Sequence, residues 1–207
     1  AVHGLVVRVD GEERNVRAHK GVILCAGGFV MNQEMLDQYV PYLKVANVPI
    51  GSPGDTGTGI LMGQGVGGAV LHMNEAFITL PFYPPGSLTF GIFVNAQAQR
   101  FINEDIYHAR MAYHVLRQVG KGVYLIVSHD DYERPPFLNA DIVGTGETIE
   151  ELAEELGLDV EMLRHTVEFY NTHAAKGDDP LFHKHEDWLK PMEPPYAALD
   201  CTPGNGA

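Results

Sequence analysis

A short segment in the middle of the chain concentrates groups that could handle protons. Residues 103–110 contain two acids, a tyrosine, a histidine and an arginine. Acid–base chemistry needs such groups beside a cavity, and the end of a strand supplies a rigid support, so this segment is a candidate catalytic site. A structural interpretation also fits, because the residues at 103–105 could cap the following helix near the positive end of its dipole. The spacing alone leaves both interpretations open.

Two glycine-rich segments could bind a ligand through the backbone. The first, Ala26-Gly27-Gly28-Phe29, follows an apolar run, and open α/β sheets bind ligands where their strands end. The second, at 54–59, enters a predicted helix, whose free N–H groups and dipole favour an anion or an electron-rich atom. No Lys-Ser or Lys-Thr pair follows, so the second segment is not a phosphate-binding P-loop. In both places the glycines could also serve only to turn the chain.

Other reactive side chains give weaker signals. His183 and His185 alternate in an extended segment and could share a face, but two histidines in a charged loop are usually only solvated. Cys25 lies in an apolar run, where a thiol is expected to be buried and inert. We therefore predict no metal site and no cysteine nucleophile.

The elements that would position these groups begin with a β-hairpin. Strands are predicted on both sides of an Asp10-Gly11 turn, over residues 2–9 and 13–18. The apolar residues 21–28 predict a buried strand that ends in the first glycine segment. Three further elements are expected before residue 74: a helix at 32–39, a helix at 59–67 capped by Asp55 or Thr56, and a strand at 70–73.

A proline-rich stretch at 81–86 indicates a break between domains. Beyond it the pattern predicts alternating elements: strands at 91–95 and 100–103, a helix at 108–119 and a buried strand at 123–128. Thr148 and Glu151 form a capping box that opens a helix ending at Gly157. Asp159 caps the next helix, and a last strand covers 196–201.

Composition narrows the class of protein. The chain has 207 residues, 45% of them hydrophobic and 20% charged, with 14 basic against 27 acidic side chains. A chain of this kind folds, and its net charge of −13 argues against nucleic acid or an anionic membrane as a partner. No apolar run is long enough to cross a bilayer and no leader segment is visible, so we expect a cytoplasmic protein.

Taken in order, the motifs resemble one flavoprotein family: the soluble fumarate reductases, the succinate dehydrogenase flavoprotein subunits and the 3-oxosteroid dehydrogenases. The matching segments are 21–29, similar to a strand ending in Ala-x-Gly-Gly-Phe, then 54–60, and then 92–104. The last is close to the family's Val-Asn-x-x-Gly-x-Arg-Phe-x-Asn-Glu. The helical hairpin from Thr148 and the strand at 195–197 also resemble the family's, and the order of the motifs makes the likeness specific.

The resemblance implies a mixed α/β and α+β fold in two domains. Residues 1–73 would be part of a split, Rossmann-like FAD-binding domain, 74–202 an α+β capping domain for the substrate, and 203–207 the return to the FAD domain. The Gly-x-Gly-x-x-Gly fingerprint of such proteins is missing, so we expect an interior fragment whose partners are the missing parts of its own FAD domain. FAD is then expected in the parent protein, but not in the fragment alone, which would be an inactive and colourless capping module.

Departures from the family pattern indicate the substrate. Dicarboxylate reducers need cations at places that hold Thr79, Tyr107 and Tyr132 here, and Arg134 is displaced by two residues. A hydrophobic ketone such as a steroid would suit the apolar and aromatic residues near the proline-rich stretch: Phe77, Leu80, Phe82, Tyr83 and Phe90.

The resemblance thus implies a 3-oxosteroid-type dehydrogenase, which oxidises a C–C bond next to a ketone and passes hydride to flavin N5. A fumarate- or enoate-type reductase, with Arg134, Arg110 or His108 as the cation, is the alternative. The catalytic candidates are Tyr107 and Glu104. The cofactor candidates are Ala26, Gly27, Gly28, Gly54 and Asp55. The substrate candidates are Thr79, Phe82, Tyr83 and Asn103.

Overall fold

The computed structural model describes residues 1–46, 48–80, 86–118, 120, 122–135 and 140–204. The chain divides into two compact units, Ala1–Ala76 and Phe77–Ala207. The division falls three residues after the domain boundary predicted at Met73. The expected mixed α/β architecture is confirmed, with sheets and helices in the same chain.

The first unit begins with the predicted β-hairpin. Strands β1 (Gly4–Val9) and β2 (Glu12–Arg17) pair antiparallel, with Val9 opposite Glu12. Both turn residues, Asp10 and Gly11, have positive φ, at 52° and 85°. Two-residue hairpins prefer this geometry because its twist matches that of the strands, and an Asp-Gly pair tolerates it.

Two α-helices follow in this unit. Helix α1 (Gln33–Tyr39) is capped by Asn32, whose side chain accepts a hydrogen bond from the N–H of Met35. A 3-10 helix, Pro41–Val45, continues the chain. Helix α2 (Thr58–Gly65) begins after Gly57, which has φ 76° and makes no side-chain capping bond. The predicted caps Asp55 and Thr56 were therefore wrong, because the residue at the cap position is Gly57, although the helix itself begins within one residue of the predicted start at 59.

The strand predicted at 21–28 does not form, and neither does the strand at 70–73. Ile23 is 88% exposed, and the Cys25 thiol, expected to be buried, is exposed. A strand needs a hydrogen-bonded neighbour, and in the described part of the first unit β1 and β2 pair only with each other. The apolar composition of 21–28 favours a buried strand, but a strand forms only where a neighbouring strand is present to pair with it.

The second unit contains a four-stranded antiparallel sheet. Its strands are β3 (Ile92–Asn95), β4 (Val123–Ser128), β5 (Ile142–Gly146) and β6 (Tyr196–Asp200), in the order β3-β4-β6-β5. The apolar runs of β3, β4 and β6 predicted them, but β5 was missed, since two of its five residues are glycine. The strand predicted at 100–103 is reduced to a single bridge between Val94 and Arg100.

The described part of the second unit also contains three α-helices: α3 (His108–Leu116), α4 (Ile149–Leu156) and α5 (Val160–Ala174). The capping box at α4 is confirmed, with Glu151 N–H donating to the Thr148 hydroxyl and Glu147 N–H donating to the Glu151 carboxylate. Asp159 caps α5 as predicted. Leu163 and Val167 of α5 pack with β3 residues into one buried core. Short 3-10 helices lie at Gly86–Phe90, His129–Asp131 and Glu186–Trp188.

No helix in the described parts of the chain is both long and apolar enough to cross a membrane.

Candidate functional site

The two glycine-rich segments of the first unit lie side by side. Gly57 N–H donates to the carbonyl of Gly28 over 2.8 Å, and Met31 N–H donates to the carbonyl of Asp55 over 2.9 Å. Asn32 adds a third link, from its side-chain amide to the carbonyl of Thr56 at 2.8 Å. Segments more than twenty residues apart in sequence thus form one backbone cradle, which we define as residues 26–28 and 54–57.

Close approach explains why glycine is needed at Gly27. Its φ of 76° is left-handed, and a Cβ placed there would collide with the Asp55 carboxylate. That carboxylate is itself fixed, because its Oδ2 accepts a 2.7 Å hydrogen bond from Ser52 N–H. Gly59 likewise sits so close to Ala26 that an added Cβ would lie 2.7 Å from the Ala26 methyl group.

Part of the backbone cradle is accessible to solvent and carries almost no side-chain atoms. Ala26, Gly27, Gly28 and Gly54 are exposed, and a Cβ built at Gly28 would meet no atom within 4 Å. A backbone without side chains, bordered by one carboxylate and a helix start, lets a planar polar ligand approach closely. The geometry is thus compatible with the isoalloxazine of a flavin, and the binding role of these residues stays a prediction from the family resemblance.

Tyr107 occupies the start of α3 in the second unit. Its carbonyl accepts hydrogen bonds from Arg110 and Met111 N–H, while its side chain is 59% exposed. The ring lies 4.5 Å from the ring of His108 and 6.4 Å from that of Phe77, measured between centroids. The phenol thus stands on a fixed helix terminus within an aromatic surface, accessible to a ligand.

Glu104, three residues earlier, is in a very different setting. Its side chain is 1% exposed and both oxygens are occupied. Oε1 accepts from Phe93 N–H and Arg100 Nε, both at 3.0 Å, and Oε2 accepts from Arg100 Nη2 at 2.7 Å and faces Lys184 Nζ at 3.2 Å. The carboxylate therefore joins strand β3 to a buried group of charges.

Asp179 and Lys184 complete this group, which we call the buried charge quartet (Arg100, Glu104, Asp179 and Lys184). Arg100 Nη1 donates to Asp179 Oδ1 at 2.8 Å, and Lys184 Nζ donates to the carbonyl of Gly91 at 2.8 Å. The four side chains are between 0% and 5% exposed. Two positive and two negative charges are thus paired away from water, as buried charges must be.

Burial and pairing compete in setting the pKa values of the quartet. Burial lowers the pKa of Lys184, and the charge of Glu104 only partly opposes it. Burial would raise the pKa of Asp179, but hydrogen bonding to Arg100 and the charge of Arg100 reverse that effect and hold the pKa below its usual range. Burial likewise works against the charge of Arg100, yet the two carboxylates raise its pKa overall.

Asn103 and Asp105 flank the quartet. Asn103 donates from its side-chain amide to Asp105 Oδ1 at 2.8 Å, and Asp105 Oδ2 accepts from His185 N–H at 2.8 Å. The substrate candidate Asn103 therefore has a local partner in the turn before Tyr107.

The remaining candidates are dispersed. Thr79 is half-buried between Ile78 and Leu80, and Leu80, at 2% exposed, lies in the core rather than lining a surface. Phe82 and Tyr83 lie outside the described residues. Within the ranges the structure describes, no three histidine, cysteine or acidic residues are placed to hold a metal ion.

Sequence reasoning missed Asp179 and Lys184. They lie in a polar loop about eighty residues from Arg100, and nothing in their local pattern separates them from their solvated neighbours. A buried lysine is unusual, but burial itself depends on the tertiary structure.

The low pKa of Asp179 predicts a stability difference that depends on pH. A depressed folded pKa contributes stability above the ordinary pKa, and this stability is lost as the pH falls through the folded value. We expect Asp179→Asn to lower the stability of the second unit by about 3 kcal/mol near neutral pH, because Arg100 loses its buried partner. The deficit should be smaller at an acid pH below the lowered pKa of Asp179, where the native carboxyl is also protonated.

Amide hydrogen exchange in α5 of the intact protein, measured against urea at both pH values, would report this difference. A deficit of equal size at both pH values would show that the Asp179 charge contributes nothing.

Comparison with known proteins now decides the family. The family model described as "FAD binding domain" matches residues 1–205. The chain belongs to this FAD-binding family. The resemblance drawn from the motifs is confirmed, and the family match supports FAD as the cofactor of the parent protein.

Three relatives illustrate the range of this FAD-binding chain's similarity. A solved structure of the 3-ketosteroid-Δ4-(5α)-dehydrogenase of Rhodococcus jostii RHA1, in complex with 4-androstene-3,17-dione, is 35% identical with a TM-score of 0.83, and the alignment covers 97% of this chain and 42% of that one. The 3-oxosteroid 1-dehydrogenase of Mycolicibacterium smegmatis is 28% identical over 86% of this chain and 37% of its own. The fumarate reductase (cytochrome) of Shewanella frigidimarina is 30% identical over 88% of this chain and 34% of its own.

The chain spans only 22% to 39% of the length of the curated relatives it matches. These relatives include dehydrogenases of steroids and reductases of fumarate, acrylate and urocanate. The comparisons therefore support a flavin-dependent oxidoreductase.

Proposed function

We propose that the protein carrying this chain is an FAD-dependent oxidoreductase that dehydrogenates a C–C bond next to the ketone of a hydrophobic, 3-oxosteroid-like substrate. The observation that carries the proposal is the exposed Tyr107 phenol, held at the start of α3 within an aromatic surface. The likeness to the Rhodococcus steroid dehydrogenase, at 35% identity, supports the same substrate class.

Dehydrogenation beside a ketone removes a proton from one carbon and a hydride from the next. FAD, when bound, supplies the hydride acceptor, and the cradle at 26–28 and 54–57 would hold its isoalloxazine. Tyr107 either donates a hydrogen bond to the ketone oxygen, which stabilises the developing enolate, or accepts the α-proton. The resemblance implies a second tyrosine for the other role.

Phe77 extends the aromatic surface beside Tyr107. It is 63% exposed, and its ring contacts those of Tyr107 and His108 edge-on or tilted. Exposed aromatic rings are unfavourable in water, so a flat apolar ligand that covers them would be stabilised. A polar group on such a ligand could form a hydrogen bond with the Tyr107 hydroxyl. Among the substrate candidates, Thr79 and Asn103 belong to the same unit as this surface, and we propose that they contribute its polar groups.

The alternative is a fumarate- or enoate-type reductase, favoured by the relatives that reduce fumarate and acrylate. A dicarboxylate needs paired cations for its carboxylates. Arg110 is exposed one turn after Tyr107 on α3, and Arg134 is exposed after β4. These two arginines, or one of them with His108, would supply the cations in this alternative.

Steady-state assays of the intact protein would separate the two functions. We expect a 3-oxosteroid with an artificial electron acceptor to be oxidised with a kcat/KM at least ~100-fold higher than that for reduction of fumarate or acrylate, because a site without paired cations leaves carboxylates unsatisfied. Reduction of fumarate or acrylate without steroid turnover would establish the alternative instead.

A further inference from the structure

The buried charge quartet lies next to the segment that carries Tyr107. Glu104 accepts the N–H of Phe93 in β3 and is bound by Arg100, while Asp105 accepts the N–H of His185. The turn at 103–105 is therefore held from the sheet on one side and from the loop that follows α5 on the other. Tyr107 comes two residues later, where α3 begins.

We infer that Lys184 and Asp179 are positioning residues for Tyr107, and that Glu104 orients this segment rather than transferring a proton. The inference rests on the proposed function in one respect only, that Tyr107 acts on the substrate. It replaces the catalytic role expected for Glu104 from the sequence with a structural one.

The occupancy of the Glu104 carboxylate argues against proton transfer. Its two oxygens have four donors within 3.2 Å, two of them on Arg100. A general acid must release its proton to a group in the active site, and a general base must have a free lone pair there. Glu104, 1% exposed and bound bidentately by Arg100, offers neither.

The loop that follows α5 depends on the quartet for its shape. Asp179 Oδ2 accepts a hydrogen bond from Lys184 N–H at 3.1 Å. Asp179 Oδ1 accepts hydrogen bonds from Arg100 Nη1 and from Phe182 N–H. Lys184 Nζ then reaches Glu104, the Gly91 carbonyl and the Tyr170 hydroxyl. The loop forms no helix or strand over 178–185, although His183 N–H donates to the carbonyl of Asp179 at 2.9 Å. The side chains of the quartet fix it against the sheet.

Aromatic rings restrict the quartet further. The Arg100 guanidinium lies 5.0 Å from the ring centroids of both Tyr170 and Phe182, and Lys184 Nζ lies 5.3 Å from that of Tyr170. Among the described residues, no buried side-chain nitrogen or oxygen lacks a hydrogen-bond partner. A fully satisfied polar network of this kind admits one arrangement, whereas an apolar core of the same size would tolerate several. Such a network suits a segment whose attached phenol must be placed accurately.

The test uses Lys184→Met in the intact flavoprotein, which keeps the length of the side chain and removes its charge. We expect amide hydrogen exchange over 103–108 to accelerate and kcat to fall at least ~10-fold with FAD retained, because a small displacement of a catalytic group is costly. Leu152→Ala is the matched control: Leu152 is fully buried in α4, so the change lowers stability but should leave exchange over 103–108 at the wild-type rate.

A double-mutant cycle identifies the route of the effect. If Lys184 acts through Tyr107, the variant carrying both Lys184→Met and Tyr107→Phe should be no more than about twofold slower than Tyr107→Phe alone. If the full effect of Lys184→Met persists in the Tyr107→Phe background, or if exchange over 103–108 is unchanged, the inference is overturned.

Asp105→Ala provides a second variant should Lys184→Met fail to fold. It removes the hydrogen bonds from His185 N–H and from the Asn103 side chain and leaves the hydrogen bonds within the quartet in place. We expect exchange over 103–108 to accelerate and kcat to fall, both by less than in Lys184→Met. Failure of the proposed function would look different: Tyr107→Phe would leave turnover unchanged, while the exchange measurement would still decide whether the quartet holds this segment.

Discussion

Tyr107→Phe in the intact enzyme is expected to reduce kcat at least ~10-fold while FAD stays bound, because removal of a positioned proton donor or acceptor typically costs 10²–10⁴ in rate. The substitution deletes one hydroxyl and keeps the ring, so the contacts with Phe77 and His108 remain. The start of α3 should also be unaffected, since it depends on the backbone carbonyl of Tyr107. Single-turnover reduction of the flavin by substrate would measure the chemical step, with flavin absorbance reporting the bound cofactor.

Tyr113→Phe is the matched control. It removes the same hydroxyl from the same helix, six residues further on, at a position to which no catalytic role is assigned here. We expect its turnover to stay within about twofold of the wild type. Unchanged flavin reduction in Tyr107→Phe would remove this residue from the mechanism, whichever substrate is used.

Gly27→Ala should reduce the affinity for FAD at least ~10-fold. A left-handed conformation in a non-glycine residue costs about 1–3 kcal/mol, and each 1.4 kcal/mol is tenfold in affinity. The new methyl group would also collide with the Asp55 carboxylate, which the Ser52 N–H holds in place. Either the 26–28 segment or Asp55 must move, and the cradle then loses its shape. Titration of the apoprotein with FAD, followed by flavin fluorescence, gives the dissociation constant.

Gly65→Ala is the control within the same unit. Gly65 is the last residue of α2, its φ is not left-handed, and a Cβ there meets nothing within 4 Å. Alanine favours a helix over glycine, so this variant should be as stable as the wild type or slightly more so, with FAD affinity unchanged. Equal FAD affinity in the two variants would show that the geometry of Gly27 and Asp55 does not matter to the cofactor.

Local signals in the sequence were sufficient wherever a structure depends on neighbouring residues. The Asp10-Gly11 turn, the capping box at Thr148 and the cap at Asp159 are satisfied within a few residues, and all three form as predicted. Motif order was equally informative, because it indicated the flavoprotein family that the family match then established.

Predictions failed where an element needs a distant neighbour. The apolar run at 21–28 predicted a buried strand, yet all its residues except Val22 are exposed, and none pairs in a strand in the described unit. Conversely, β5 has the weak pattern of a glycine-containing strand and forms because β6 offers it hydrogen bonds. Strand formation is decided by partners, whereas the caps and the hairpin turn are decided within the segment itself.

The candidate site divides in the same way. Residue types and their order alone determined that this is a flavin-binding chain with a tyrosine after an Asn-Glu pair. This was possible because the glycine segments, helix caps and motifs each lie within a short stretch of sequence. Only the tertiary structure decided that Gly27 touches Asp55, and that Glu104 is enclosed by Arg100 and Lys184 while Tyr107, three residues away, faces solvent. The reason is that burial and charge pairing depend on side chains up to about eighty residues apart in sequence. The local sequence pattern does not indicate which of these side chains come into contact in the folded chain.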